Sequence, residues 1–160
     1  MLVYLDNSAT TQPSKAVVNA VASSMREGYY NPSALYAPAL SAEQQMSACR
    51  EAIAGKVNAK QVFFTSGGTE ANNLAIFGML KSLRGFGKVL YSAGEHPSVR
   101  ETCKQTAEMG FSPEEIPLDQ NGLVNLHALE TMLDNQVRMI CVMQVNNETG
   151  AVQTISEVSK

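Results

Sequence analysis

Apolar residues fall into helical stripes separated by short apolar runs. Val17, Val18, Val21 and Met25 recur at helical spacing behind Ser14, a capping residue type, and ahead of Gly28, which predicts a first helix. A Pro- and Tyr-rich loop, residues 29–38, follows. Ser41-Ala42-Glu43-Gln44 reads as a capping box, with Met46, Cys49, Ile53 and Val57 as the stripe behind it. Gln61 to Thr65 is a short β-prone run. Leu74, Phe77, Leu80 and Leu83 form the next helical stripe, and Lys88 to Ser92 the next strand. A helix starting near Pro97 should stop at Gly110, because Pro suits a first turn and Gly an end. Asn125 caps a short helix bearing Leu126, Leu129 and Leu133. The apolar run Arg138 to Val145 has the composition of a buried parallel strand. Thr154-Ile155-Ser156-Glu157 opens one more turn just before Lys160.

This alternation of helices and strands predicts an α/β architecture. Composition agrees. Of 160 residues, 44% are apolar and 17% charged, a globular balance sized for one domain. A net charge of −3 gives no electrostatic basis for binding nucleic acid or an anionic membrane. The opening Met1 to Asp6 has neither a basic leader nor a long apolar run. Cys49, Cys103 and Cys141 are scattered and lack Cys-x-x-Cys spacing, so no metal site is predicted. They read as structural thiols of a reduced, cytoplasmic protein.

Three polar clusters stand where apolar runs end. Thr65-Ser66-Gly67-Gly68-Thr69-Glu70-Ala71-Asn72-Asn73 lies between a strand-like run and a helix. It reads either as an ordinary capped turn or as an anion cradle, in which glycines admit close approach and the helix start supplies free N–H groups. It is neither a Walker A loop nor a dinucleotide fingerprint. Gly94-Glu95-His96-Pro97-Ser98 follows the strand at 88–92, and α/β sheets bind ligands beyond the carboxyl ends of their strands. His96 is therefore a candidate, whereas His127 reads as a polar-face residue of a short helix. Val145-Asn146-Asn147-Glu148-Thr149-Gly150 occupies another strand end, as a polar turn or as a source of amide hydrogen bonds. Asp6 to Thr11 alone reads as a loop.

These clusters, with Tyr4-Leu5-Asp6-Asn7-Ser8-Ala9-Thr10-Thr11 and Asn31-Pro32-Ser33, resemble in order and content the cysteine desulfurases. That family belongs to the class V aminotransferase-like group of fold-type I pyridoxal phosphate enzymes. The resemblance implies a partial large domain with a mostly parallel sheet between helices. Residues 1–14 would belong to a small domain and 15–160 to the cofactor-binding domain. It implies that Gly68 and Thr69 hold the phosphate of pyridoxal 5'-phosphate. It also implies that His96 stacks on the ring and moves protons, and that Asn147 bonds the ring hydroxyl oxygen. The family reaction takes L-cysteine to L-alanine and leaves a persulfide on an enzyme cysteine. Members are homodimers that pass sulfur to an acceptor scaffold protein, as in iron–sulfur cluster assembly.

The sequence also departs from the family. Its cofactor-bonding lysine lies in a Ser-x-His-Lys motif, which is absent here. The aspartate that pairs with the ring nitrogen, a nearby glutamine and the sulfur-accepting loop cysteine would fall after Lys160. A histidine common in the loop after Asn31-Pro32-Ser33 is replaced by Tyr36 or Ala37. The chain thus reads as a truncated N-terminal part, inactive by itself and prone to association through exposed core. Selenocysteine lyase, or another class V activity, shares these motifs. A non-catalytic truncated or degenerate binding or scaffold domain is the reading from a different class.

Overall fold

The computed structural model describes residues 3–83 and 85–159. Met1 and Leu2, where the leader reading begins, lie outside the described residues, as do Arg84 and Lys160. The chain divides into two compact units, Met1–Phe64 and Thr65–Lys160.

In the first unit, Ser14 caps α1 (Lys15–Glu27) by accepting a hydrogen bond from Val17 N at 3.3 Å. The helix ends at Gly28, whose N–H returns to Ser24 O at 2.8 Å. α2 spans Ala37–Lys56, so it begins four residues before the expected capping box. Tyr36 is the N-cap, and Pro38 occupies the first turn, where a missing N–H costs nothing. Ser41 is therefore intrahelical, and its Oγ accepts from Gln45 Nε2 at 3.4 Å. The β-prone run 61–65 joins no ladder among the described residues. Phe63 and Phe64 are exposed, and β-propensity is realised only where a neighbouring strand and a buried face exist.

The second unit is built on a three-stranded parallel sheet of order β2-β1-β3, from β1 (Lys88–Ser92), β2 (Ser112–Ile116) and β3 (Val137–Cys141). β1 lies in the middle. Val89 and Leu90 have no exposed surface although they face opposite ways, as expected of a strand covered on both sides. On one face Val89 and Tyr91 pack with Ile76, Leu80, Cys103 and Phe111. On the other, Leu90 packs with Ile116, Val124 and Leu129. Helices α3 (Gly68–Ser82) and α4 (Pro97–Gln105) supply the first layer, and α5 (Leu126–Met132) the second.

The α3 stripe is rotated from its predicted position. Ile76 and Leu80 are buried, whereas Leu74 is exposed. α4 runs into a 3-10 turn at Thr106–Met109 and stops at Gly110, whose φ of 89° suits glycine. β2, Ser-Pro-Glu-Glu-Ile, escaped the sequence pattern because its composition is poor for a strand. It is held by parallel pairing to β1. β3 is shorter than the run 138–145 and only half-buried, because its sole ladder partner among the described residues is β1. Asn125 caps α5 as expected, accepting from Ala128 N at 3.0 Å. The final turn, α6 (Ile155–Val158), forms without a side-chain cap from Thr154.

Candidate functional site

The chain leaves β1 through α4 to β2 on one side, and β3 lies on the other. The strand order therefore reverses at the crevice beyond the carboxyl ends of β1 and β3, the usual ligand position in such sheets. The loop carrying Glu95 and His96 leaves β1 here, and the segment leading to Asn147 leaves β3.

His96 is the exposed N-cap of α4, and its Nδ1 accepts a hydrogen bond from Ser98 N at 3.1 Å. That bond places the ring lone pair on Nδ1, so the neutral imidazole carries its proton on Nε2. Ser98 Oγ lies 2.8 Å from the same Nδ1 and accepts from Asn72 Nδ2 at 2.8 Å. Asn72 belongs to the first half of α3, so the start of that helix is tied directly to the histidine. Thr69 and His96 line one hollow together with Asn73 and Thr102. A second hollow is lined by His96, Glu95, Asn72, Cys141 and Met143.

The start of α3 has the donor chemistry an anion requires. Gly67 is the extended N-cap, and Gly68 and Thr69 follow, all exposed. First-turn amides of a helix have no intrahelical acceptor, and here the Thr69 hydroxyl stands beside them. Apart from its chain neighbours and its own helix backbone, a Cβ on Gly67 or Gly68 would meet no atom of the described residues within 4 Å, so open space lies in front of the backbone. Glu70, also in the first turn, turns back on Ser66, accepting from its N and Oγ at 2.6 Å each. The hydroxyl and amide of Ser66 hold the Glu70 carboxyl below its ordinary range. The carboxylate thus takes up the Ser66 donors, and the amides of Gly68 and Thr69 with the Thr69 hydroxyl are the donor set that fits a phosphate.

Asn147 is exposed on a tight turn between Val145 and Val152, which form an antiparallel bridge. Its neighbour Asn146 shapes that turn: its Oδ1 accepts from Glu148 N and Thr149 N at 2.9 Å, and its Nδ2 donates to Gly94 O at 3.0 Å. The Asn147 turn is thereby tied to the His96 loop. The two described hollows that include His96 are lined by neither Gly68 nor Asn147. The structure therefore brings Thr69 and His96 together directly, and Asn147 only through Asn146.

Several residues that build this site do so by holding other residues, a role that local sequence does not assign. Asn72, Ser98 and Asn146 form its hydrogen-bond frame, and Glu95 is 7% exposed. The available signal was Glu95 itself, an acid placed directly after a strand buried on both faces. Cys103 and Cys141 lie with sulfurs 3.8 Å apart, both reduced. Contact with Cys141 and burial push the Cys103 thiol up, which leaves it an unreactive packing residue. Cys49 and His127 are exposed. No helix among the described residues is long and apolar enough to cross a membrane.

The aminotransferase class-V family model matches residues 3–160. A cysteine desulfurase IscS from Dictyoglomus turgidum is 37% identical over 161 residues, covering 99% of this chain and 41% of its own length. Among solved structures, a NifS-like protein superimposes with a TM-score of 0.92 at 30% identity, over 99% of this chain and 44% of that one. SspA in complex with cysteine gives a TM-score of 0.85 at 31% identity, over 97% of this chain and 46% of that one. The chain thus spans less than half the length of these proteins, and it aligns with cysteine desulfurases throughout its own.

Proposed function

The chain belongs to the aminotransferase class-V family, and from that premise we propose that it carries the phosphate- and ring-side half of a pyridoxal 5'-phosphate site in a cysteine desulfurase. The carrying observation is the single hollow lined by Thr69 at the start of α3 and His96 at the start of α4. Gly68 and Thr69 would hold the phosphate through backbone N–H groups and a hydroxyl. His96 would lie against the ring with its Nε2 proton free to be donated, since Nδ1 is occupied by Ser98. Asn147 would bond the ring hydroxyl oxygen. The cofactor, when bound, supplies an electron sink for bond cleavage next to the amino acid's α-carbon.

L-Cysteine as substrate is supported by the named relatives and by the cysteine complex of SspA. Conversion to L-alanine with persulfide transfer, a homodimeric state, a sulfur-acceptor scaffold partner and a cytoplasmic setting complete the reading. Residues 1–14 would belong to a small domain and residues 15–160 to the cofactor-binding domain. Selenocysteine in place of cysteine is the neighbouring reading within the family.

Both readings predict that the 160-residue chain binds pyridoxal phosphate without bonding to it. Added cofactor should keep its free-aldehyde absorbance, and borohydride should fix none of it to the protein. Thr69→Ala should weaken binding by on the order of tenfold, the effect of one charge-assisted hydrogen bond. Alanine release from cysteine should stay at background. Wild-type affinity in Thr69→Ala would remove the phosphate cradle from the proposal, and robust turnover by this chain would refute the assigned division of the site.

A further inference from the structure

The parallel ladder between β1 and β3 ends at Tyr91 and Cys141. Beyond that point the backbone N–H groups that follow β3 no longer pair with β1. One of these, Met143 N–H, is taken up by a side chain: it donates to Glu95 Oε1, 48 residues away. The same oxygen accepts from Ser92 Oγ at 2.9 Å. Glu95 is 7% exposed, and a carboxylate that far from water is tolerated only when its oxygens are hydrogen-bonded. It therefore replaces a missing rung of the ladder at the point where the crevice opens.

A second tie runs parallel to it, from Asn146 Nδ2 to Gly94 O at 3.0 Å. On the opposite side, Ala93 N–H donates to Ile116 O at 2.9 Å, holding the same loop to the end of β2. The loop before α4 is thus fixed from both neighbouring strands. What it presents is His96, and what the far end of the tie presents is the turn bearing Asn147.

We propose that Glu95 is a positioning residue, whose carboxylate clamps the His96 loop to the segment leading from β3 to Asn147 and so sets the spacing of the two ring-side groups. The inference rests on the pyridoxal phosphate reading for its function, but the clamp itself is a property of the chain without cofactor.

The test uses the full chain with Glu95→Ala and Glu95→Gln. In the absence of ligand, Glu95→Ala should speed amide exchange both at 94–98 and at 143–150, and leave the amides of β1 unchanged. Glu95→Gln keeps an acceptor oxygen and should return most of the protection. Unchanged exchange in either segment, or a Gln variant as loose as Ala, overturns the clamp. With ligands, Glu95→Ala should weaken pyridoxal phosphate binding by on the order of tenfold while inorganic phosphate binds as before. That selectivity distinguishes positioning from general loss of fold. Equal loss for both ligands, or none for the cofactor, overturns the positioning role. If wild-type chain binds phosphate but not pyridoxal phosphate, the functional reading fails, and the exchange data still decide the clamp. Should Glu95→Ala not fold, Ser92→Ala removes one of the two donors. It should loosen 94–98 to a smaller degree, and no loosening refutes the inference.

Discussion

The two units of the chain use the same kind of sequence pattern to opposite ends. In the first, α1 has its stripe of Val17, Val18, Val21 and Met25, yet each of these is more than half exposed and the helix buries no residue. α2, at 20 residues, buries only Ala39. In the second unit, a five-residue strand, β1, buries Val89, Leu90, Tyr91 and Ser92 under layers on both faces. Amphipathic spacing specifies a helix and the side it would bury, but burial itself needs a partner surface. The parallel sheet of the second unit is such a surface.

The largest expected effect separates the units by stability. Leu90→Ala should cost about 2–5 kcal/mol, because a fully buried side chain leaves a cavity in a packed layer. Val21→Ala should stay within about 0.5 kcal/mol, as at other exposed positions. Denaturant unfolding of the two variants measures both, and equal losses would break the contrast.

Amide exchange sharpens it residue by residue. The β1 amides should be among the slowest, since that strand pairs on both sides, while α1 amides should exchange orders of magnitude faster through local opening. Comparable protection in α1 and β1 would mean that the exposed stripe is covered in solution.

The smallest effect lies at the start of β1, where Lys88 Nζ meets Asp134 Oδ2 at 3.0 Å and Glu114 Oε1 at 3.6 Å. The hydrogen bond from Lys88 holds the Asp134 carboxyl below its ordinary value of 3.8. A depressed carboxylate contributes stability that is present above that value and is lost as pH falls through the folded-state pKa. Lys88 is raised, by Asp134 first, so its share is present below 10.5 and is lost as pH rises through the higher folded value. Asp134→Asn should therefore flatten the acid limb of a stability–pH curve below about pH 4. An unchanged limb would show the pair to be as weak as most exposed ones.

Local chemistry makes much of this legible in the sequence. Ser14, Asn125 and Gly110 act where local chemistry predicted, because caps and left-handed stops depend on a residue and its few neighbours. The strand at 88–92 was found by its composition. β2 was not, since Ser112-Pro113-Glu114-Glu115 carries no strand signal and is extended only because β1 offers it a ladder. The run 61–65 is the reverse case: it has strand propensity but pairs with no strand among the described residues.

The site divides in the same way. Thr69, His96 and Asn147 were visible as polar residues at strand and helix ends, because such ends are marked in the sequence by a change from apolar to polar. The frame around them was decided by tertiary structure alone. Asn72 reaches Ser98 across 26 residues, Glu95 reaches Met143 across 48, and Asn146 reaches Gly94 across 52. Local residue chemistry thus sets which residues carry donors, acceptors and caps. Only the reversal of strand order around β1 decided which of them meet. Hydrogen bonds between distant segments depend on the layout of the sheet, and no local pattern encodes that layout.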